Sequence, residues 1–117
     1  MNVRFYLKQP NANRQSVIFA TISYNNTRFK YYLLEKIHPK DWNFKSQRVK
    51  NHADHIDSVE FNYRLIFIAG KIAETFYRFQ NMNSGKEPGS EVFKKLMDEV
   101  FDRKRNLKIN EVQNMSA

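Results

Sequence analysis

Residues Gln15–Leu34, with the sequence QSVIFATISYNNTRFKYYLL, constrain the fold most strongly because they predict a β-hairpin. Two runs rich in β-branched and aromatic residues flank Asn25-Asn26. Asparagine tolerates the positive φ values that a two-residue hairpin turn requires. Such a turn places Tyr24 opposite Thr27, and every other cross-strand pair follows from that one.

The predicted register separates the hairpin into two faces. The apolar face carries the pairs Ile22 with Phe29, Ala20 with Tyr31, and Ile18 with Leu33. The other face carries Ser23 with Arg28, Thr21 with Lys30, and Phe19 with Tyr32. A slip of one residue would mix the two faces, so their clean separation supports the register. We therefore expect the apolar face to form core, and we hypothesise that the basic face contacts nucleic acid.

A first strand is predicted for residues 3–8, where apolar residues alternate with Arg4, Tyr6 and Lys8. Turn-forming residues 10–14 follow and allow this strand to pair with the second, which gives a three-stranded antiparallel meander. One face of that sheet, called the outer face below, would carry the candidate DNA-binding residues. These are Arg4, Tyr6, Lys8, Phe19, Thr21, Ser23, Arg28, Lys30 and Tyr32.

The net charge of +8 in this chain of 117 residues is distributed unevenly. Residues 1–50 contain ten basic and two acidic residues, whereas residues 51–117 contain ten of each. The whole positive excess therefore lies in the part that carries the predicted sheet. A one-sided basic field favours a polyanionic partner, either nucleic acid or an anionic membrane surface. Solubility alone would not require such an asymmetry.

Two helices are predicted after the sheet. Apolar residues spaced by three and four form the stripe Phe61, Leu65, Ile68, Ile72, Phe76 and Phe79, with Asp57 or Ser58 as the N-cap. A break at residues 81–89 precedes a second amphipathic helix, which we expect Ser90 to cap. The predicted fold class is α+β: a three-stranded antiparallel sheet packed on one long helix, followed by a second amphipathic helix. The predicted domains are residues 1–83 and a linker with helix at residues 84–117.

The sequence offers no catalytic or metal-binding constellation. It contains no cysteine, and its three glycines are too scattered for a phosphate-binding loop. The cluster His52-Ala53-Asp54-His55 is more typical of a solvated helix start than of a metal site. Trp42 is expected to close the edge of a small core, within an otherwise irregular segment 35–51. We therefore predict a binding module without enzymatic activity, metal or cofactor.

No segment resembles a membrane span or a secretory signal. The longest apolar run, residues 65–69, is far shorter than the ~20 residues that cross a bilayer. The first ten residues contain Arg4 and Lys8 within their apolar stretch, which is atypical of a signal peptide. These features, with the absence of cysteine, favour an intracellular protein.

The order of these parts resembles the N-terminal arm-binding domain of Bacteroides-type tyrosine recombinases, the integrases of phages and transposons. The resemblance covers about residues 1–105 and is sharpest in IHPKDWNFKSQRVK, where Pro39-x-x-Trp42 precedes Lys45 and Arg48-Val49-Lys50. SVIFATISYNNTRFKYYLL, VEFNYRLIFIAGKIAETFYRF and SGKEPGSEVFKKLMDEVF match the sheet, the long helix and the start of the next helix.

The resemblance implies that the sheet inserts into the major groove of arm-type sites on recombining DNA, in the bacterial cytoplasm. Residue by residue, this role carries over to Arg4, Tyr6, Lys8, Thr21, Arg28 and Lys30. It also implies that the recombinase active site belongs to a C-terminal domain that is not in this sequence, and that residues 84–117 lead toward a core-binding domain that is absent here.

Two alternatives stay open. The first is a protein-interaction or oligomerisation module that binds a partner, such as another recombinase protomer, through the apolar face of the second helix, residues 92–101. The second is a membrane-surface role. It is less favoured because the basic residues lie on a predicted sheet rather than on an amphipathic helix.

Overall fold

The fold is described by a computed structural model for residues 1–51 and 57–101. The elements are β1 (Asn2–Leu7), β2 (Ser16–Tyr24), β3 (Thr27–Ile37), β4 (Trp42–Asn43), β5 (Arg48–Val49), α1 (Ser58–Met82) and α2 (Ser90–Val100). The chain divides into two compact units, residues 1–73 and 74–117. The architecture is α+β, with a three-stranded antiparallel sheet and two helices, as the sequence predicts. The predicted domain boundary after residue 83 stays a prediction.

The sheet has the order β1-β2-β3, so β2 is its central strand. The predicted register is confirmed from Tyr24 opposite Thr27 to Phe19 opposite Tyr32. The turn residue Asn25 has a φ of 46°, which asparagine adopts at lower cost than most residues. β1 pairs with β2 as the meander predicts, with Arg4 opposite Thr21. The Asn25-Asn26 turn therefore sets the alignment of β2 with β3 from Tyr24 to Phe19.

The predicted pairing of Ile18 with Leu33 is wrong. Beyond Phe19 and Tyr32, the next pair in the ladder is Val17 with Lys36, so β3 contains two more residues than β2 in this interval. An even number of extra residues leaves the in-and-out alternation of side chains unchanged. Leu33 therefore remains buried, and Leu34 is exposed.

The core of the first unit lies on one face of this sheet. Its buried side chains from the strands are Phe5, Leu7, Ile18, Ala20, Ile22, Tyr31, Leu33 and Ile37. The stripe residues Phe61, Leu65 and Ile72 of α1 are also buried. Arg64 of α1 donates to Glu35 of β3, with its Nε 3.2 Å from Oε1 and its Nη2 3.3 Å from Oε2.

Residues 35–51 are more regular than expected, and the prediction of an irregular segment is wrong. β3 continues to Ile37, and Pro39–Asp41 forms a 3₁₀ turn in which His38 Nδ1 accepts from the Lys40 N–H. The strands β4 and β5 then form a short antiparallel hairpin. Trp42 begins that hairpin and is 1% exposed, which agrees with its predicted role in the core.

The helix α1 starts as predicted, because Asp57 Oδ1 accepts from the Glu60 N–H at 3.0 Å and so caps the first turn. It ends where Ser84 and Gly85 adopt positive φ, and the Gly85 N–H donates to the carbonyl of Gln80. The predicted N-cap of α2 is wrong: Gly89 is the N-cap, without a side-chain hydrogen bond, and Ser90 is the first helical residue.

Asn62 of α1 joins the helix to the β4–β5 hairpin. Its Oδ1 accepts from the Val49 N–H at 2.8 Å, and its Nδ2 donates to the Val49 carbonyl at 3.1 Å. One side-chain amide thus pairs both backbone groups of a buried residue.

We expect Asn62→Ala to lower the free energy of unfolding by about 1–2 kcal/mol, because it leaves both backbone groups of Val49 unpaired in a partly buried place. The matched control is Asn81→Ala, on an exposed position of the same helix, which should change stability by less than about 0.5 kcal/mol. Urea unfolding followed by circular dichroism measures both. Equal effects of the two substitutions would contradict a role for the Asn62 hydrogen bonds.

Candidate nucleic-acid interface

The outer face of the sheet consists of cross-strand rows that follow from the register. The rows are Asn2–Ser23–Arg28, Arg4–Thr21–Lys30 and Tyr6–Phe19–Tyr32. In the first two rows, small polar residues lie on the central strand and the basic residues lie on the outer strands. The third row is aromatic across all three strands, and it is called the aromatic row below.

The three rings of the aromatic row pack against one another on the outer face. The ring of Phe19 lies 5.8 Å from that of Tyr6 and 5.5 Å from that of Tyr32, measured between centroids. Phe19 is only 8% exposed, whereas Tyr32 is 41% exposed. Contacts of this kind between aromatic rings stabilise beyond the area they bury. Phe19 therefore acts as a packed base for the row, and Tyr32 offers a ring to a ligand.

Two lysines are positioned over this row. Lys30 Nζ lies 4.8 Å from the centroid of the Phe19 ring, and Lys8 Nζ lies 5.6 Å from that of Tyr32. Cation–π contacts hold an ammonium group near the face without neutralising its charge. The aromatic residues of this basic face thus hold the ammonium groups of Lys8 and Lys30 above the sheet.

A hollow of about 170 Å³ lies on the same face. It is lined by Asn2, Arg4, Tyr6, Thr21, Ser23 and Arg28. Its floor comes from the two short side chains of the central strand, Thr21 and Ser23, and Arg4 and Arg28 come from opposite edges. Because the side chains of the floor are short, a planar group can approach the backbone of the sheet. The guanidinium groups of the two arginines can then reach that planar group from both sides.

The arginines of the chain differ in their partners. Arg64 pairs with Glu35 and Glu60, and Arg78 Nη2 lies 2.6 Å from Glu74 Oε1. Within residues 1–51 and 57–101, the side chains of Arg4 and Arg28 have no hydrogen-bond or ion-pair partner, and both are exposed. The guanidinium groups of the outer face are therefore available for an anionic or hydrogen-bond-accepting ligand, and those of the helix are engaged.

The structure brings all nine predicted residues to one face of the sheet or to its end. Arg4, Lys8, Arg28, Lys30 and Tyr32 are exposed, Tyr6 and Ser23 are half-buried, and Phe19 and Thr21 are buried. Sequence reasoning missed Asn2, which lies opposite Ser23 and lines the hollow. Extending the predicted first strand back by one residue would have found it, because Asn2 lies on the same face as Arg4 and Tyr6 in the alternation.

Other chemistry has little support on this chain. In the part of the chain that the structure describes, no cluster of His, Cys, Asp or Glu could hold a metal ion. The cluster His52-Ala53-Asp54-His55 and the chain after Arg103 lie outside the described residues.

Burial lowers the pKa of Arg48, which lies over the ring of Phe5 on the core side of the sheet. Neither described helix has the length and apolar character that spanning a bilayer would require.

Comparison with known proteins gives one match. A family model with the description "Arm DNA-binding domain" matches residues 3–87, which are 85 of the 117 residues. No curated protein and no solved structure matches the chain significantly. The matched region contains the sheet except Asn2, the β4–β5 hairpin and α1.

We expect Phe19→Ala to lower the free energy of unfolding by about 3 kcal/mol, because it removes the packed centre of the aromatic row. Tyr32→Ala, at the exposed end of the same row, should cost less than about 1.5 kcal/mol. Urea unfolding compares the two variants, and similar costs would show that Phe19 does not act as the base of the row.

Proposed function

Because the chain belongs to the arm DNA-binding domain family, we propose that it binds double-stranded DNA through the outer face of its sheet. It would do so as the non-catalytic N-terminal part of a tyrosine recombinase, an integrase of a mobile element, bound to arm-type sites. The observation that carries this proposal is the pair of exposed arginines, Arg4 and Arg28, on either side of the polar floor, whose side chains have no partner among the described residues.

The dimensions of the sheet suit the major groove. Adjacent strands lie about 4.8 Å apart, so three strands span roughly 10 Å between the axes of β1 and β3. The major groove of B-DNA is about 12 Å wide. A sheet of this width therefore fills the groove with its face toward the base edges, as other proteins that recognise DNA with β-strands do.

The two kinds of basic residue would then have different tasks. Arginine pairs with the O6 and N7 acceptors of guanine in a bidentate manner, and Arg4 and Arg28 border a hollow that admits a base edge. Lys8 and Lys30, held over aromatic rings, present compact charges suited to phosphate oxygens. Thr21 and Ser23 would contribute hydroxyl groups between them.

We also propose that the sheet packs on α1 within residues 1–73. The buried stripe of α1 and the buried face of the sheet support this arrangement, as do the bonds of Arg64 to Glu35 and of Asn62 to Val49. A rigid support of this kind would keep the outer face in one conformation as it enters the groove, so less ordering entropy is lost on binding.

The runner-up function is protein interaction or oligomerisation. In α2, Phe93 and Met97 are buried, and the ring of Phe93 stacks on Phe76 at 5.9 Å, so part of the predicted partner surface is already used. Val92 and Val100 of α2 stay exposed, and further exposed apolar side chains lie on α1, at Val59, Tyr63, Ile66 and Phe67. A mass that rises with concentration in light scattering, without DNA, would favour the runner-up.

The first experiment is titration of a mixed-sequence duplex at several salt concentrations. We expect the affinity of the wild type to fall steeply with salt, because phosphate contacts release counterions. The variant Arg4/Arg28/Lys30→Ala should bind more weakly, because the two arginine contacts to base edges are lost. Loss of the Lys30 phosphate contact should flatten the slope of log K against log salt by about 0.9, and by up to about 2.7 if both arginines also reach phosphates.

The matched control is Lys86/Lys94/Lys95→Ala, which removes the same charge from exposed positions outside the sheet. It should leave the slope close to that of the wild type. Equal slopes for the two triple variants would mean that net charge, and not the outer face, drives binding. Absence of binding by the wild type at low salt would refute the proposed function.

A further inference from the structure

The β4–β5 hairpin lies along the free edge of the sheet. β1 is an edge strand, and its Phe5 N–H donates to Gln47 Oε1 at 3.0 Å. The guanidinium group of Arg48 lies 5.3 Å from the centroid of the Phe5 ring. The hydrogen bond joins the hairpin to the edge of β1 that faces away from β2, and the Arg48 contact joins it to the core face of the same strand.

The turn of this hairpin is held in one conformation by its own hydrogen bonds. Asn43 Oδ1 accepts from the N–H groups of Lys45 and Ser46 at 3.0 and 3.1 Å. The Gln47 N–H donates to the Asn43 carbonyl at 2.8 Å, with Gln47 at a φ of 58°. A turn that is ordered before binding loses little entropy when a ligand contacts it.

This ordered turn presents an aromatic ring and a charge, at Phe44 and Lys45, which together are called the tip. Phe44 is 53% exposed, and Lys45 is exposed without an ion-pair partner in the described parts of the chain. Residues 38–50 contain four basic residues and one acidic residue. A single exposed phenylalanine is common on protein surfaces, but here an ordered and basic turn presents the ring next to a lysine, so both can contact one ligand.

With the outer face in the major groove, as proposed above, the tip would lie against the DNA backbone. A three-stranded sheet that spans roughly 10 Å leaves no room for another element inside a groove about 12 Å wide. Whatever lies beside β1 must therefore face the sugar–phosphate wall on that side. A basic turn at this place meets phosphate oxygens, and an exposed ring meets the apolar face of a deoxyribose.

We propose that the tip of the β4–β5 hairpin is a second DNA contact, in which Lys45 binds a phosphate of the strand that borders the groove and Phe44 packs on the adjoining sugar. This inference rests on the proposed function, since it assumes that the outer face occupies the groove. It adds a backbone contact that determines on which side of the groove β1 lies.

The test uses the whole chain and the same mixed-sequence duplex, with the variants Lys45→Ala and Phe44→Ala. Removing one phosphate contact flattens the salt slope by about 0.9, so the wild-type to Lys45→Ala affinity ratio should fall about 3-fold between 50 and 200 mM salt. Phe44→Ala should weaken binding with an unchanged slope. Lys95→Ala, an exposed lysine of α2, is the control of equal charge and should match the wild type.

A second measurement tests directly whether residue 45 lies close to the DNA backbone. The chain contains no cysteine, so Lys45→Cys creates a single site for an iron–EDTA label that cleaves nearby deoxyribose. Cleavage of the duplex from residue 45, but not from Lys95→Cys, supports the contact. Circular dichroism should show that every variant is folded, because these side chains are exposed.

The outcomes separate this inference from the function on which it rests. A wild type that does not bind DNA refutes both. A wild type that binds, with Arg4/Arg28/Lys30→Ala impaired but Lys45→Ala and Phe44→Ala unchanged and no cleavage from residue 45, overturns the inference alone.

Discussion

The hydrogen-bond register of the central strand β2 is the constraint on which the rest of this structure depends. Because side chains alternate along a strand, this register alone decides that Ala20 faces the core while its neighbour Thr21 lies between Arg4 and Lys30. A shift of one residue would bury charge and expose core at the same time. This one alignment therefore produces the cross-strand rows, the hollow and the positions of the lysines. The Asn25-Asn26 turn fixes the part of it that joins β2 to β3.

Much of this alignment could be predicted because its causes are local in the sequence. The alternation of strands and the turn chemistry act over a few residues. By contrast, the two extra residues of β3 could not be predicted from the sequence. An insertion of two residues leaves the alternation of side chains unchanged, so the pattern gives no sign of it. The β4–β5 hairpin also escaped prediction, because strands of two residues have no period. Its position depends on amide side chains that bond across long intervals, 42 residues for Gln47 and 13 for Asn62.

The candidate site could be predicted to the level of a face but not to the level of each residue's task. The sequence places Phe19 beside basic residues, yet only packing shows that Tyr6 and Tyr32 cover it. Likewise, the basic positions of the outer face look equivalent in the sequence. The structure distinguishes lysines that lie over rings from arginines without partners in the described residues. Such exposed cations repel one another in the free protein, because the fold holds them on one face. A polyanion that neutralises them would remove this electrostatic repulsion.

The hydrogen bond from the Phe5 N–H to Gln47 has a separate consequence for association between chains. Edge strands present unpaired backbone groups that can recruit a further strand from another molecule. With Gln47 and Arg48 against Phe5, β1 is a poor template for such addition. Any β-augmentation of this sheet by a peptide or a second chain is therefore directed to β3, at the opposite edge. Random strand exchange between chains is thereby disfavoured along the side of the sheet that carries the N-terminal strand.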